Sequence, residues 1–197
     1  MRAALVMVLA GILYSPALLR PAQFPNARQA LDLGRTRDAA LLEAFNRGYE
    51  LPPNDAVDRA EIVTEFRRAV LLVRDQYNIG DFGYSERDLA KAMQAYEGTI
   101  GFVAEVRLNP LHTYPNPPAY ELYISTGPAS KPLATKSIKR EPIYPPGLGL
   151  GTAFVGVRLE AAFTRADIER AVAPMLTVVD EHANILWQAR IELSRYR

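Results

Sequence analysis

Gly98-Thr99-Ile100-Gly101-Phe102-Val103-Ala104-Glu105-Val106-Arg107-Leu108 is the stretch in which the chain changes its period. Here Ile100, Phe102, Ala104, Val106 and Leu108 alternate with Gly101, Val103, Glu105 and Arg107, the two-residue repeat of a half-buried strand. Upstream, apolar residues recur at three- and four-residue steps, the repeat of a helix. Proline use changes at the same point: none occurs between Asn54 and Gly98, and nine fall from Pro110 to Pro146. A helix interior excludes proline because the ring removes an N–H donor and collides with the preceding turn, whereas loops and edge strands accept it. The reading is an α+β chain, with a helical segment over residues 26–98 and an antiparallel β-sandwich over residues 99–197.

Working back from the seam, Ser85 and Asp88 have the spacing of a capping box. They open a helix with a stripe of Leu89, Ala92, Met93 and Tyr96, closed by Gly98. Before it, the longest helix is expected to start at Asn54 or Asp55. Ile62, Val63, Phe66, Val70, Val73 and Tyr77 share one face, Glu61, Glu65, Arg68 and Asp75 lie mostly opposite, and the helix ends near Gly80. Pro52-Pro53 separates it from two short helices. One is capped by Asn26 and stopped at Gly34; the other runs from Thr36 to Gly48 with Leu41, Leu42 and Phe45 as its stripe. No self-similar period near 34 residues exists, which excludes tetratricopeptide repeats.

Working forward, Tyr120, Leu122 and Ile124 form a second strand. Residues 132–144 hold Lys136, Lys139 and Arg140, with Pro132 and Pro142 near the ends. Lysine and proline on an exposed strand block edge-to-edge aggregation, so this segment reads as an edge. Ala153, Val155, Val157, Leu159, Ala161 and Phe163 give the clearest strand. Thr164, with Asp167 in the capping-box place, starts a helical turn over residues 165–171. A hairpin closes the chain: Leu176 and Val178 point one way, Ile185, Trp187, Ala189, Ile191 and Leu193 point the same way on the return, and Asp180 to Asn184 connect them.

A strand ending in Ala-Ala-Phe, a helical turn and a polar-tipped hairpin resembles the closing strands of immunoglobulin-like or fibronectin-like domains. The whole order is similar to that of uncharacterised bacterial exported proteins. They share an apolar start, short helices, a strand running into a segment like Leu108-Asn109-Pro110-Leu111-His112-Thr113-Tyr114, and then the sandwich. The resemblance implies a fold and an exported location; it brings no activity and no functional residues.

Composition narrows the chemistry. The 197 residues carry a formal net charge of +1, so no global field favours nucleic acid. Cysteine is absent, which removes disulfides, thiol catalysis, thiolate metal sites and lipid attachment through cysteine. The two histidines, His112 and His182, have no metal-ligand spacing around them. Arg2 followed by the apolar run over residues 3–14 and by Ser15-Pro16-Ala17 reads as a secretory signal, placing the body of the protein in the periplasm or outside the cell. The alternatives are an uncleaved membrane anchor within residues 1–21 and an ordinary buried helix.

No catalytic constellation emerges and no cofactor is expected. Gly147-Leu148-Gly149-Leu150-Gly151 is glycine-rich, but a phosphate loop needs a strand before it and a helix after it, and here a strand follows. No serine has a nucleophile elbow. Glu61 and Glu65 stand one helical turn apart without the Glu-x-x-His partners of a bundle metal site and read as a solvated face. The best local cluster is His112, Tyr114 and Tyr120, where rings and polar tips on a loop suit a sugar or a partner peptide. These features point to an exported, non-enzymatic interaction module with an envelope protein or a glycan as partner. The alternatives are a carbohydrate-active protein using Glu97, Glu105 or Glu121, and a structural accessory subunit of an envelope complex.

Overall fold

The structure is a computed structural model that describes residues 26–111, 114–126, 131–145 and 153–196. The expected signal or anchor, the linker that follows it, His112 and the glycine-rich loop lie outside the described residues. Two helices come first, α1 (Ala27–Arg35) and α2 (Ala39–Arg47), then two strands, β1 (Glu50–Leu51) and β2 (Val57–Val63). Helices α3 (Glu65–Asn78) and α4 (Glu86–Met93) follow, and a 3-10 turn at Gln94–Tyr96 leads into β3 (Thr99–Arg107). The remainder is β4 (Glu121–Ser125), β5 (Ser137–Ile143), β6 (Gly156–Thr164), the short helix α5 (Arg165–Arg170), β7 (Met175–Val179) and β8 (Ile185–Arg190).

The strands form two antiparallel sheets, ordered β1-β2-β3-β6-β5 and β4-β7-β8. One core lies between them. Ile100, Phe102, Ala104 and Val106 of β3 and Val157, Leu159, Ala161 and Phe163 of β6 pack with Leu122 and Ile124, Leu176 and Val178, and Trp187. The alternation read in the quoted stretch is therefore the inward face of a central strand. A smaller apolar cluster joins the helices through Ala30 and Leu31 of α1, Phe66, Ala69, Val70 and Val73 of α3, and Leu89 and Met93 of α4. Among the described residues no helix is long and apolar enough to cross a membrane.

One element corrects the sequence reading. Residues 57–63 do not begin the long helix; they form β2, paired along β3 from Val57↔Val106 to Val63↔Gly101. The helix starts only at Glu65, with the Thr64 hydroxyl accepting the Arg67 N–H at 3.3 Å. Both periods fit Ile62, Val63 and Phe66. What selects the strand is the long-range partner: β2 completes the sheet beside β3, and Val57, Ala60 and Ile62 enter the main core. Glu61, read as part of a solvated helix face, is instead 2% exposed. The segment of residues 26–98 is thus helical with a strand pair inside it.

Smaller differences follow from capping. The second helix starts at Ala39 instead of Thr36, because the Asp38 carboxylate accepts the N–H groups of Ala40 and Leu41. Thr164 precedes α5 without a side-chain cap, and Asp167 pairs with Arg170 instead. Ile185 is exposed, since the β7–β8 register shifts between Val178 and Val179. The capping box of Ser85 and Asp88 is present with both of its bonds.

Candidate functional site

At one end of the molecule the described parts of three connections gather: residues 108–111 and 114–120 between β3 and β4, 144–145 and 153–155 between β5 and β6, and the Asp180–Asn184 turn. Antiparallel pairing dictates this, because β3, β5 and β7 finish where β4, β6 and β8 begin. Of the cluster expected there, Tyr114 and Tyr120 are both half-buried against the main core. The third member, His112, falls outside the described residues. Tyr114 lies 6.5 Å ring to ring from Phe154, and Phe154 meets Tyr144 edge to face at 6.4 Å. Val155 and Leu111 beside them are exposed. Phe154 and Tyr144 were absent from the expected site; the aromatic spacing of the second loop was the signal for them.

The Tyr120 hydroxyl is pushed above its ordinary range, first by burial and then by the nearby Tyr114, Asp180 and Glu181. The acidic turn therefore lies close enough to be felt at the ring. Asp180 itself is held below the usual carboxylate range, chiefly by the Asn184 side-chain amide, and it also accepts the N–H groups of Asn184 and His182. Those bonds commit Asp180 to shaping a turn in which Ala183 has φ +62°. His182 stands exposed on that turn, 4.0 Å from Glu181.

The three carboxylates considered for glycan chemistry do not converge. Glu97 precedes one end of β3 and Glu105 lies near the other, about 20 Å away at a strand rise of about 3.3 Å per residue. Glu105 is paired with Arg158 at 2.7 Å on the face turned away from β4, whereas Glu121 begins β4 in the other sheet. Hydrolysis of a glycosidic bond needs two carboxyl groups about 5–10 Å apart. Among the described residues no cluster of His, Asp and Glu could hold a metal ion.

A buried polar constellation lies elsewhere, at a place the sequence did not single out. Arg67, at the start of α3, is 1% exposed. Its guanidinium donates to Glu61 Oε2 at 2.5 Å and to Asn46 Oδ1 at 3.0 Å, and lies 5.0 Å from the Tyr49 ring centre and 5.5 Å from that of Phe45. Arg59 shares the same Glu61 oxygen at 3.0 Å. These residues belong to α2, β1's approach, β2 and α3, so the cluster ties the helices to the sheet. Its Arg67 Nε and Arg59 Nε are buried without a partner. The signal was Arg59-x-Glu61, the same charge alternation as Glu105-x-Arg107 and Arg158-x-Glu160, which marks the outward face of a strand.

At the opposite end of the sheets a cleft of about 410 Å³ is lined by Arg165, Glu169, Arg190, Glu192 and Val172. Its charges are spent on each other, Arg165 with Glu169 at 2.7 Å and Arg190 with Glu192 at 4.0 Å. The charges of the edge strand are spent in the same way: Lys139 pairs with Glu141 at 2.6 Å, and Arg140 donates to the Tyr120 carbonyl at 2.7 Å. The aromatic end is accordingly the stronger candidate surface. Comparison with protein-family models, curated proteins and solved structures finds no match at the level that would show a relationship.

Proposed function

We propose that this is an exported cell-envelope protein whose two sheets form an immunoglobulin-like sandwich used as a non-enzymatic interaction module. The observation that carries the reading is the strand order. β2-β3-β6-β5 over β4-β7-β8 corresponds to A-B-E-D over C-F-G in immunoglobulin lettering, with every pairing antiparallel. Three features depart from that pattern: no cysteine joins the sheets, the one tryptophan sits on the last strand, and α3 and α4 are inserted between β2 and β3. In this architecture loops gather at the ends of the sheets and are free to vary. Here they present Tyr114, Tyr144 and Phe154, with exposed Leu111 and Val155 alongside. Export rests on the apolar N-terminal stretch, and the bacterial resemblance belongs to the same proposal.

The test is site-specific photo-crosslinking from position 155 in intact cells, with fractionation of the envelope. The reading expects the protein in the envelope or medium and one discrete crosslinked partner that disappears in Tyr144→Ala. Recovery from the cytoplasm alone defeats the export part, and no crosslink dependent on Tyr144 defeats the binding part. The half-exposed rings also suit a sugar as the partner; glycan-array binding that is lost in Tyr144→Ala and Tyr120→Ala would assign that class.

A further inference from the structure

Edge strands of a sheet offer unpaired main-chain groups, and three of the outer strands here are very short or have a main-chain carbonyl already engaged. β1 is two residues long. The Leu186 carbonyl of β8 accepts Asn54 Nδ2 at 2.9 Å. The Ile124 carbonyl of β4 accepts the Leu133 N–H at 2.8 Å. The seven-residue β5 is different: it pairs with β6 on one side, and among the described residues no strand lies on the other. The Ile143 carbonyl accepts the Val155 N–H at 2.8 Å and so faces β6. Main-chain groups alternate in direction along a strand, so those of Ile138, Arg140 and Pro142 face outward. Pro142, which has no N–H, is therefore harmless to the β5–β6 ladder.

On the outer face of the sheet β5 continues an alternating pattern of charge. Lys139 is in register with Glu160, and Glu141 with Arg158. We propose that the β5 edge is a self-association surface whose partner is a second copy of this chain, paired antiparallel about a two-fold axis through Arg140. Such an interface is self-complementary by symmetry. Lys139 then stands opposite Glu141 of the second copy and Glu141 opposite its Lys139, so the alternation Arg158, Glu141, Lys139, Glu160 runs unbroken from one sheet into the next. The Arg140 N–H and carbonyl meet their symmetry mates, and the Ile138 N–H meets the Pro142 carbonyl, which is the one main-chain group Pro142 retains. The Arg140 head group is drawn away from the axis by its bond to the Tyr120 carbonyl. Sliding the pairing by two residues sets Lys139 against Lys139 or Glu141 against Glu141, and like charges directly opposite are unfavourable. The outer-face charges that guard this edge against indiscriminate pairing thus favour this register over those two residues to either side.

Sedimentation velocity of the full chain over a concentration series to about 300 μM tests the proposal, a range suited to an interface of small area. Wild type is expected to shift from monomer to dimer across the series. Lys139→Glu and Glu141→Lys each place two like-charged pairs across the axis, and each is expected to weaken dimerisation about tenfold or more. Mixed together, the two variants are expected to dimerise with each other, because an all-acidic edge then meets an all-basic one. This rescue cannot arise from a variant that merely fails to fold. A wild type that stays monomeric throughout, a dimer indifferent to either reversal, or a mixture that does not associate would overturn the proposal.

Discussion

Arg67 shows how one side chain can hold two structural units in register. Its charge is out of water, and what offsets the desolvation is the Glu61 carboxylate, the Asn46 amide and the two rings of Tyr49 and Phe45. Removing this cation leaves the buried Glu61 carboxylate with the partly exposed Arg59 in place of a buried partner. Arg67→Ala is therefore expected to cost about 3–5 kcal/mol in chemical denaturation, whereas replacing Arg67 and Glu61 together with Met and Leu is expected to recover most of that loss. An equal loss in both variants would mean that packing around the long side chain, and not the uncompensated charge, sets the cost. Gly34 is a second single-residue constraint. A Cβ there would stand 2.6 Å from Val73 Cγ1 and 2.9 Å from the Val70 carbonyl, so α1 approaches α3 too closely for any side chain. Gly34→Ala is expected to destabilise by about 1–3 kcal/mol through overpacking, read as a lower denaturation midpoint. A neutral result would show that the two helices can move apart freely.

Among the elements, α4 carries a pH dependence whose sign is fixed by its cap. The Asp88 carboxyl sits below its ordinary value, chiefly because the Ser85 hydroxyl and then the Ser85 N–H donate to it. A carboxyl whose folded value is depressed contributes stability above its unfolded range and loses it as pH falls through the folded value. Ser85→Ala removes the largest cause. Titration of Asp88 by NMR is expected to move up toward an ordinary aspartate, and the acid dependence of stability to lessen; an unmoved Asp88 would exclude the cap as the cause. This element was legible in the sequence because its signals are local: a serine, an aspartate three residues on, and an apolar stripe. β2 was not legible for the opposite reason. Val57, Ala60 and Ile62 bury against residues some forty or more positions away, and Ile62-Val63 joins smoothly to the α3 stripe, so local period alone extends the helix backward. The aromatic end divides in the same way. Tyr114 and Tyr120 stood out as neighbours in sequence, while Tyr144 and Phe154 reach them only through the pairing of β5, β6 and β3.

At the scale of the whole molecule the seam at Gly98 is a joint and not a hinge. Gly98 has φ +64°, its N–H donates to Glu65 Oε1 at 2.8 Å, and its carbonyl accepts the Arg165 N–H at 2.9 Å. α3 thus reaches the turn that follows α4, and that turn is tied to the start of α5, at the point where the helices lead into β3. β2 passes into α3 through Thr64 alone, and Arg67 sits at the crossing. These ties predict one cooperative unfolding transition despite two apolar clusters. Trp187, the only tryptophan in the sequence, is buried in the sheet core and donates to the Pro52 carbonyl at 2.9 Å, so its fluorescence follows the sheets. Far-ultraviolet circular dichroism is weighted toward the helices. Denaturation followed by the two probes is expected to coincide in the wild type and to separate in Arg67→Ala, with the helical signal lost first. Separate transitions in the wild type would show that the helices are stabilised independently of the sheets. Coincident transitions in Arg67→Ala would place the coupling in the Gly98 joint instead of in the buried arginine.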